Sequence, residues 1–306
     1  MSLVVVGTMA FDAIETPFGK TDKIVGGSAT YAAYTASNFV NTVQQVSIIG
    51  YDFPKNELQE LESRGVDLSG VVQVPDKKSF FWSGKYHLDM NTRDTLVTDL
   101  NVLADFDPVL PEHFRETEFV MLGNLSPNNQ TAVIEQMKNP KLIVMDTMNF
   151  WIENTWNDLK EVLTMIDVLL VNDSEAREMT KEFSIVKAAR KILKMGPKYL
   201  IIKKGEHGAL LFHENSVFFA PALPLEDVFD PTGAGDTFAG GFIGHLAKTK
   251  DISFENMKTA IIVGSAMASF CVEKFGVQRL KEIAKADIDA RLDEFVNLVN
   301  FDIALV

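Results

Sequence analysis

Between Asp227 and Phe242 the chain reads DVFDPTGAGDTFAGGF, and these residues are the ones best suited to chemistry. Asp230, Pro231 and Thr232 are turn formers, and Gly233-Ala234-Gly235 lets the backbone turn sharply and approach a ligand closely. Phe238, Phe242, Ile243 and Leu246 recur at helical spacing. A helix is therefore expected from Gly235 to about Ala247, with the N–H groups of residues 233 to 236 pointing outward and unpaired. The positive end of a helix dipole over such donors suits a phosphate. Asp236 lies in the same turn. Alone it would be an ordinary first-turn carboxylate, but beside an anion cup its charge repels the ligand unless it has a task. It reads as the base that accepts a hydroxyl proton while the amides of Gly233, Ala234 and Gly235 hold phosphoryl oxygens.

The elements that must position this turn follow from the apolar pattern. Leu3 to Val6 is a short buried strand, Gln45 to Gly50 another, and a helix is expected from about Pro54 to Ser63. Gly26-Gly27 precedes SATYAAYTASNFV, where Ala29, Ala32, Ala33 and Ala36 form a small-residue stripe suited to close helix packing. Residues 71 to 75 and 79 to 87 alternate like half-exposed strands, with Phe80, Trp82 and Tyr86 on one face and Phe81, Ser83, Lys85 and His87 on the other. YHLDMNTRD, residues 86 to 94, is either a solvated loop or a specificity loop in which Arg93, Lys85 and His87 meet an anionic substituent and Asn91 and Asp94 meet hydroxyls. From Glu118 onward strand and helix alternate in the rhythm of a parallel sheet with helices on both faces. Ligands bind beyond the carboxyl ends of such strands, where Gly123, Asn124, Asp146 and Asn172 fall. Tyr199 to Lys203 is a further strand, and Lys203-x-Gly205-x-x-Gly208 turns into the strand GALLF. The last helices are expected from about Phe254 to Val272 and near residues 287 to 299.

DPTGAGDTFAGGF resembles the signature of the ribokinase-like (PfkB) family of carbohydrate and nucleoside kinases, and nearly every signature position is filled. The resemblance follows the whole chain in order. It implies one three-layer α/β/α domain over residues 1–306, with a central, mostly parallel sheet. It also implies a small β-strand lid, discontinuous in sequence, from about residues 10 to 25 and 71 to 100. It implies ATP-dependent transfer of the γ-phosphoryl group to a hydroxymethyl group of a sugar or sugar-like substrate. By that resemblance Asp12, Gly26, Gly27, Asn124 and Arg93 line the acceptor pocket together with Asp236. Asn172 and Glu175 match an Asn-x-x-Glu tied to magnesium and phosphate placement, though the same spacing is an ordinary capping box. Lys203, Gly205, Gly208 and Thr232 form one wall of the nucleotide site, with Gly233 and Gly235. Gly264, Ser265 and Ala268 are small enough to admit an adenine. ATP and Mg²⁺ are the expected cofactors, and K⁺ near Asp230 and Thr232 is a further implication. There are two departures. Tyr31 stands where many sugar kinases of the family carry Asn, and Trp151 stands where the motif begun by Asp146 and Asn149 usually reaches an Arg.

The bulk properties narrow the partners. A net charge of -13 over 306 residues argues against nucleic acid or an anionic membrane surface. No stretch is long enough to span a membrane, and MSLVVVGTMAFD lacks a basic region and a long apolar run, so a cytoplasmic protein is expected. Cys271, the one cysteine, cannot form an internal disulfide and reads as a buried thiol. The histidines show no ligand spacing, and neither a Walker A loop nor an early Gly-x-Gly-x-x-Gly is present. Two other readings stay open: a nucleoside kinase, with a base stacked on the aromatic strand Phe80 to Tyr86, and a non-catalytic sensor of the same fold, which would have no need of Asp236. A second copy is expected to pair with the free edge of the lid strands.

Overall fold

Strand β1 (Ser2–Val6) opens the chain as an unbroken apolar run. Alternate side chains of a strand leave on opposite faces, so Leu3 and Val5 enter one hydrophobic core and Val4 and Val6 another. The computed structural model describes residues 1–300 and repeats this split across a large sheet. Positions 301–306 of the expected domain lie outside the described residues.

After β1 come β2 (Ala10–Thr16), β3 (Gly19–Lys20), β4 (Ile24–Gly26), helix α1 (Ser28–Ala36), β5 (Thr42–Gly50), α2 (Lys55–Ser63) and β6 (Val66–Val74). Next are β7 (Phe81–Tyr86), β8 (Arg93–Asp99), β9 (Phe119–Leu122), α3 (Pro127–Gln136), β10 (Leu142–Asp146), α4 (Asn149–Asn154) and α5 (Trp156–Leu163). The chain continues through β11 (Val168–Asn172), α6 (Asp173–Thr180), α7 (Ile185–Leu193), β12 (Tyr199–Lys203), β13 (Ala209–His213) and β14 (Ser216–Ala220). It closes with α8 (Ala234–Thr249), α9 (Phe254–Cys271), α10 (Gln278–Glu282) and α11 (Lys285–Val299).

The large sheet has nine strands in the order β14-β13-β12-β11-β10-β9-β1-β5-β6. Pairs from β12 across to β6 are parallel, and β13 and β14 add an antiparallel edge. β9 and β10 are buried along their whole length, which requires helices on both faces. α1, α8 and α9 supply one core, and α3, α5, α6 and α7 the other. The three-layer α/β/α architecture is as expected. The alanine stripe of α1 packs closely against α8: a Cβ on Gly240 would stand 2.7 Å from the Ala32 carbonyl oxygen.

The small sheet runs β3-β2-β7-β8, with β4 also on β2. Its β2–β7 pair is parallel and its other pairs are antiparallel. One boundary differs from expectation. Residues 71 to 74 belong to β6, which pairs with β5 at the edge of the large sheet. An edge strand exposed on one side alternates just as a lid strand does, so the pattern does not separate them. The order of the large sheet reverses at β1, which lies between β5 and β9. That reversal opens a crevice at the carboxyl ends of the strands, and the small sheet leaves the large one there, directly after β1.

Candidate active site

Gly233 caps α8 in the left-handed region, with φ of 76°, and the first helical bond runs from the Thr237 N–H to the Gly233 carbonyl. The hydroxyl end of the buried Tyr31 ring fills the space where a Cβ on Gly233 would stand. Tyr31 thus supports the anion turn from beneath. That contact with the turn is one that spacing alone does not show. The open donors are fewer than expected, because the Ala234 N–H is taken by the Pro231 carbonyl at 3.2 Å. Among the described residues no acceptor meets the Gly235 N–H, while the Asp236 N–H faces its own carboxylate. Asp230 anchors the start of the turn, accepting from the N–H groups of Thr232 (2.8 Å) and Gly276 (2.9 Å). Both its oxygens are engaged, and the potassium expectation at Asp230 and Thr232 finds no support in this arrangement.

Four parallel strands bring the polar groups to the turn. β10 ends at Asp146, β11 at Asn172 and β12 at Lys203, while Asn124 follows the end of β9. The Lys203 ammonium donates to Asp146 Oδ2 at 2.6 Å, and a Cβ on Gly235 would stand 3.0 Å from its Nζ. Burial alone would depress the lysine, but Asp146 and Glu175 outweigh it and hold Lys203 above its ordinary value. Asn172 and Glu175 form a full capping box: Asn172 Oδ1 accepts from the Glu175 N–H at 2.8 Å, and Glu175 Oε2 accepts from the Asn172 N–H at 2.7 Å. Such a cap stabilises its helix by about 1 kcal/mol. It also fixes a buried carboxyl beside the turn, and burial together with Asp146 pushes Glu175 up to about 7. Asp236, half-buried at the helix start, is likewise pushed up to about 7, by burial and then by Asp146, with Lys203 and Arg93 opposing.

On the other side of the crevice Asp12 lies against Gly26, where a side chain would strike its carboxylate. Gly27 has φ of 97° and abuts the Thr8 carbonyl, so this glycine pair permits a left-handed turn and a close approach at once. Burial, followed by the charges of Asp230 and Asp236, pushes Asp12 up to about 8. Asp12 pairs in register with Trp82 across the parallel β2–β7 ladder, which puts the two side chains on one sheet face. Tyr86, two pleats further along, accepts a hydrogen bond from the Thr232 hydroxyl at 3.2 Å. That face therefore looks onto the glycine turn. The Arg93 guanidinium lies 5.6 Å from the Trp82 ring centre, and its charge is felt by Asp12, Asp236 and Glu175.

The polar loop is less available than its composition implied. His87 pairs with Asp94 at 2.9 Å and Lys85 with Glu15 at 2.6 Å, which removes three groups offered to a substrate and leaves Arg93. The carboxamide oxygen of Asn91 rests against Gly205, so the tip of the β7–β8 hairpin touches the turn that follows β12. Asn124 is held by two neighbours: it accepts from the Trp151 indole N–H at 2.8 Å and donates to the Met148 sulfur at 2.9 Å. Trp151, standing in the place of the expected Arg, brings no charge to the site and orients Asn124.

The nucleotide wall is arranged around the β12–β13 turn, where Gly205 and Gly208 both have positive φ, 54° and 79°. A Cβ on Gly264 would stand 2.8 Å from the Phe238 carbonyl oxygen, so this glycine serves the packing of α9 on α8. Ser265 is buried beside it and Ala268 is half-buried one turn on. Among the described residues no group of three or more His, Cys, Asp or Glu is placed to hold a metal ion. No described helix is long and apolar enough to cross a membrane. Cys271 is a buried free thiol. Reasoning from motifs missed the partnership of Asp146 with Lys203, the Tyr86–Thr232 contact and the pairing of Trp82 with Asp12. A register worked out from the hairpin at 87–92 would have found the His87–Asp94 pair.

The family model for pfkB family carbohydrate kinases matches residues 1–284. A cytidine kinase from Thermococcus kodakarensis is 30% identical over 257 residues, 82% of this chain and 91% of that relative. A nucleoside kinase from Methanothermobacter thermautotrophicus is 27% identical over 308 residues, 90% of this chain and 91% of the relative. Among solved structures, a Burkholderia thailandensis nucleoside kinase in complex with ADP-inosine superposes with a TM-score of 0.79 at 20% identity. That match covers 97% of this chain and 96% of the other.

Proposed function

The chain belongs to the pfkB family of carbohydrate kinases and is an ATP-dependent phosphotransferase with a sugar-like alcohol as acceptor; we propose that the acceptor is the ribose hydroxymethyl group of a nucleoside. The observation that carries this reading is the side-by-side placement of Asp12 and Trp82 on the face turned to the glycine turn. A carboxylate accepts from sugar hydroxyls, and a flat indole next to it offers a base or furanose a stacking surface. The cytidine and nucleoside kinases among the relatives support the same choice.

In this reading Asp236 takes the hydroxyl proton as the acceptor oxygen bonds to the γ-phosphorus and the bond to the departing ADP oxygen breaks. The amide of Gly235, with Gly233 shaping the turn, holds the transferring oxygens. Because the transition state is loose, positioning and charge stabilisation supply most of the catalysis. Glu175 fits a magnesium role: it is a buried carboxyl that burial and Asp146 bias toward protonation, and a cation beside it would relieve that bias. Magnesium, when bound, would screen the ATP phosphate charge, with Glu175 holding it through water. The turn after β12 and the half-buried face of α9 near Ser265 and Ala268 take the nucleotide. A cytoplasmic location, where ATP is supplied, is part of this reading, and the exposed edge strand β8 is where a second copy would pair.

Initial rates of ADP formation with MgATP test the acceptor. At least one nucleoside is expected to exceed free ribose in kcat/KM by about 10–100-fold, the usual weight of stacking one base on an aromatic side chain. A free sugar that matches the best nucleoside overturns the reading. The pH profile tests the base. Asp236 works ionised, and its free-enzyme value is raised to about 7. kcat/KM should therefore climb as pH rises through about 7 and level off above it. A profile flat on the acid side down to about pH 5 contradicts the assignment.

A further inference from the structure

Lys203 is placed deeper in the site than a nucleotide wall requires. Its ammonium, at the carboxyl end of β12, lies 2.6 Å from Asp146 Oδ2 and 3.0 Å from the point where a Cβ on Gly235 would stand. The side chains of the pair are only 19% and 8% exposed. An ammonium has three donor hydrogens; Asp146 takes one, which leaves two for the space over the Gly235 turn. Asp146 does not depend on the lysine alone, since its Oδ1 already accepts from the Thr147 N–H at 2.8 Å. Asp146, Glu175 and Asp236 all act electrostatically on Lys203. The free ammonium donors and the free Gly235 N–H thus converge on one spot, where phosphate oxygens would bond. The indole of Trp151 carries no charge and its N–H is spent on Asn124. Arg93, the other cation felt at the turn, is solvent-exposed on the small sheet.

We propose that Lys203 is a catalytic residue whose ammonium bonds the oxygens of the phosphoryl group in transit, with Asp146 holding it in place; this rests on the kinase reading above. Lys203 stays protonated throughout. The γ-phosphoryl group leaves the β-phosphate oxygen and bonds to the acceptor oxygen, whose proton passes to Asp236. A fixed ammonium at the equatorial oxygens is worth most when charge is spread over them, so it acts on kcat more than on ATP binding.

The test is the full-length Lys203→Met variant beside the parent, assayed only after the parent shows acceptor-dependent ADP formation. A silent parent defeats the kinase reading itself, whereas an active parent isolates the role of Lys203. The variant is expected to lose kcat by on the order of 10²–10³ while the KM for ATP changes by less than about threefold. A second readout does not need turnover. ADP with aluminium fluoride and acceptor, a planar mimic of the phosphoryl group, should raise the melting temperature of the parent well beyond ADP and acceptor alone, and this increment should vanish in the variant. A variant that keeps kcat and raises only the KM for ATP overturns the proposal and leaves Lys203 as part of the nucleotide wall. If the methionine variant fails to fold, Lys203→Arg decides. The arginine keeps the charge and misplaces it, so kcat should fall at least about tenfold at unchanged KM for ATP, and an unchanged kcat overturns the proposal.

Discussion

Asp236→Asn lowers kcat by on the order of 10²–10⁴, the weight of a general base, and leaves a protein at least as stable as the parent. The first part follows from the position of the carboxyl, at the mouth of the turn whose Gly235 amide meets no protein acceptor among the described residues. The amide of Asn keeps the shape and cannot accept the proton. The second part follows from linkage. Burial and Asp146 raise Asp236 to about 7, above its value in an unfolded chain. A carboxyl raised in that direction favours the fold fully at pH below its unfolded value and loses that contribution as pH rises through about 7. The parent without ligands therefore loses stability between pH 5 and pH 8, and the Asn variant is relieved of this component. Melting curves at the two pH values, beside the rate measurement, distinguish a lost base from a lost fold. Near-parental kcat in a folded variant removes Asp236 from the chemistry.

Gly233→Ala acts on both stability and rate. The residue holds φ of 76°, and the space for a Cβ is occupied by the Tyr31 ring, which is itself buried among α1 and α8. The backbone strain alone costs about 1–3 kcal/mol, and the ring cannot move aside without disturbing the close α1–α8 contact. The amides that follow shift with the turn, and a displacement near 1 Å at a phosphoryl site costs on the order of 10² in rate. Urea unfolding and kcat should both report the change. Ala234→Gly is the matched control, since Ala234 lies beyond the left-handed residue and its N–H is already used by Pro231. An alanine variant that matches the parent in both measurements contradicts the geometry described for the turn.

The fold is readable where the signal is local. The apolar runs of β1, β9, β10 and β11 announce strands buried on both faces, and the glycine-rich turn followed by Phe238, Phe242 and Leu246 announces the start of α8. Asn172 with Glu175 is readable both as a cap and as a site, and the structure contains the cap in full. What spacing cannot carry is contact between distant positions. Asp146 and Lys203 are 57 residues apart, and Tyr86 and Thr232 are 146 apart. No periodicity links such pairs. β6 escapes assignment for a different reason: residues 71 to 74, at the edge of the large sheet, are half-buried to exposed, and a short run of that kind fits either sheet. Gly264 shows the converse limit, because a small residue looks the same in sequence whether it admits a ligand or, as here, the backbone of α8.

The measurement that bears most directly on the central claim is the proton-coupled phosphorus spectrum of the product formed from MgATP and the preferred acceptor. Transfer to a hydroxymethyl group puts the phosphate on a carbon bearing two protons, so the account predicts a triplet that grows at least about a hundredfold more slowly when Asp236→Asn replaces the parent. A doublet, which places the phosphate on a secondary alcohol, or free phosphate with no ester at all, would contradict it.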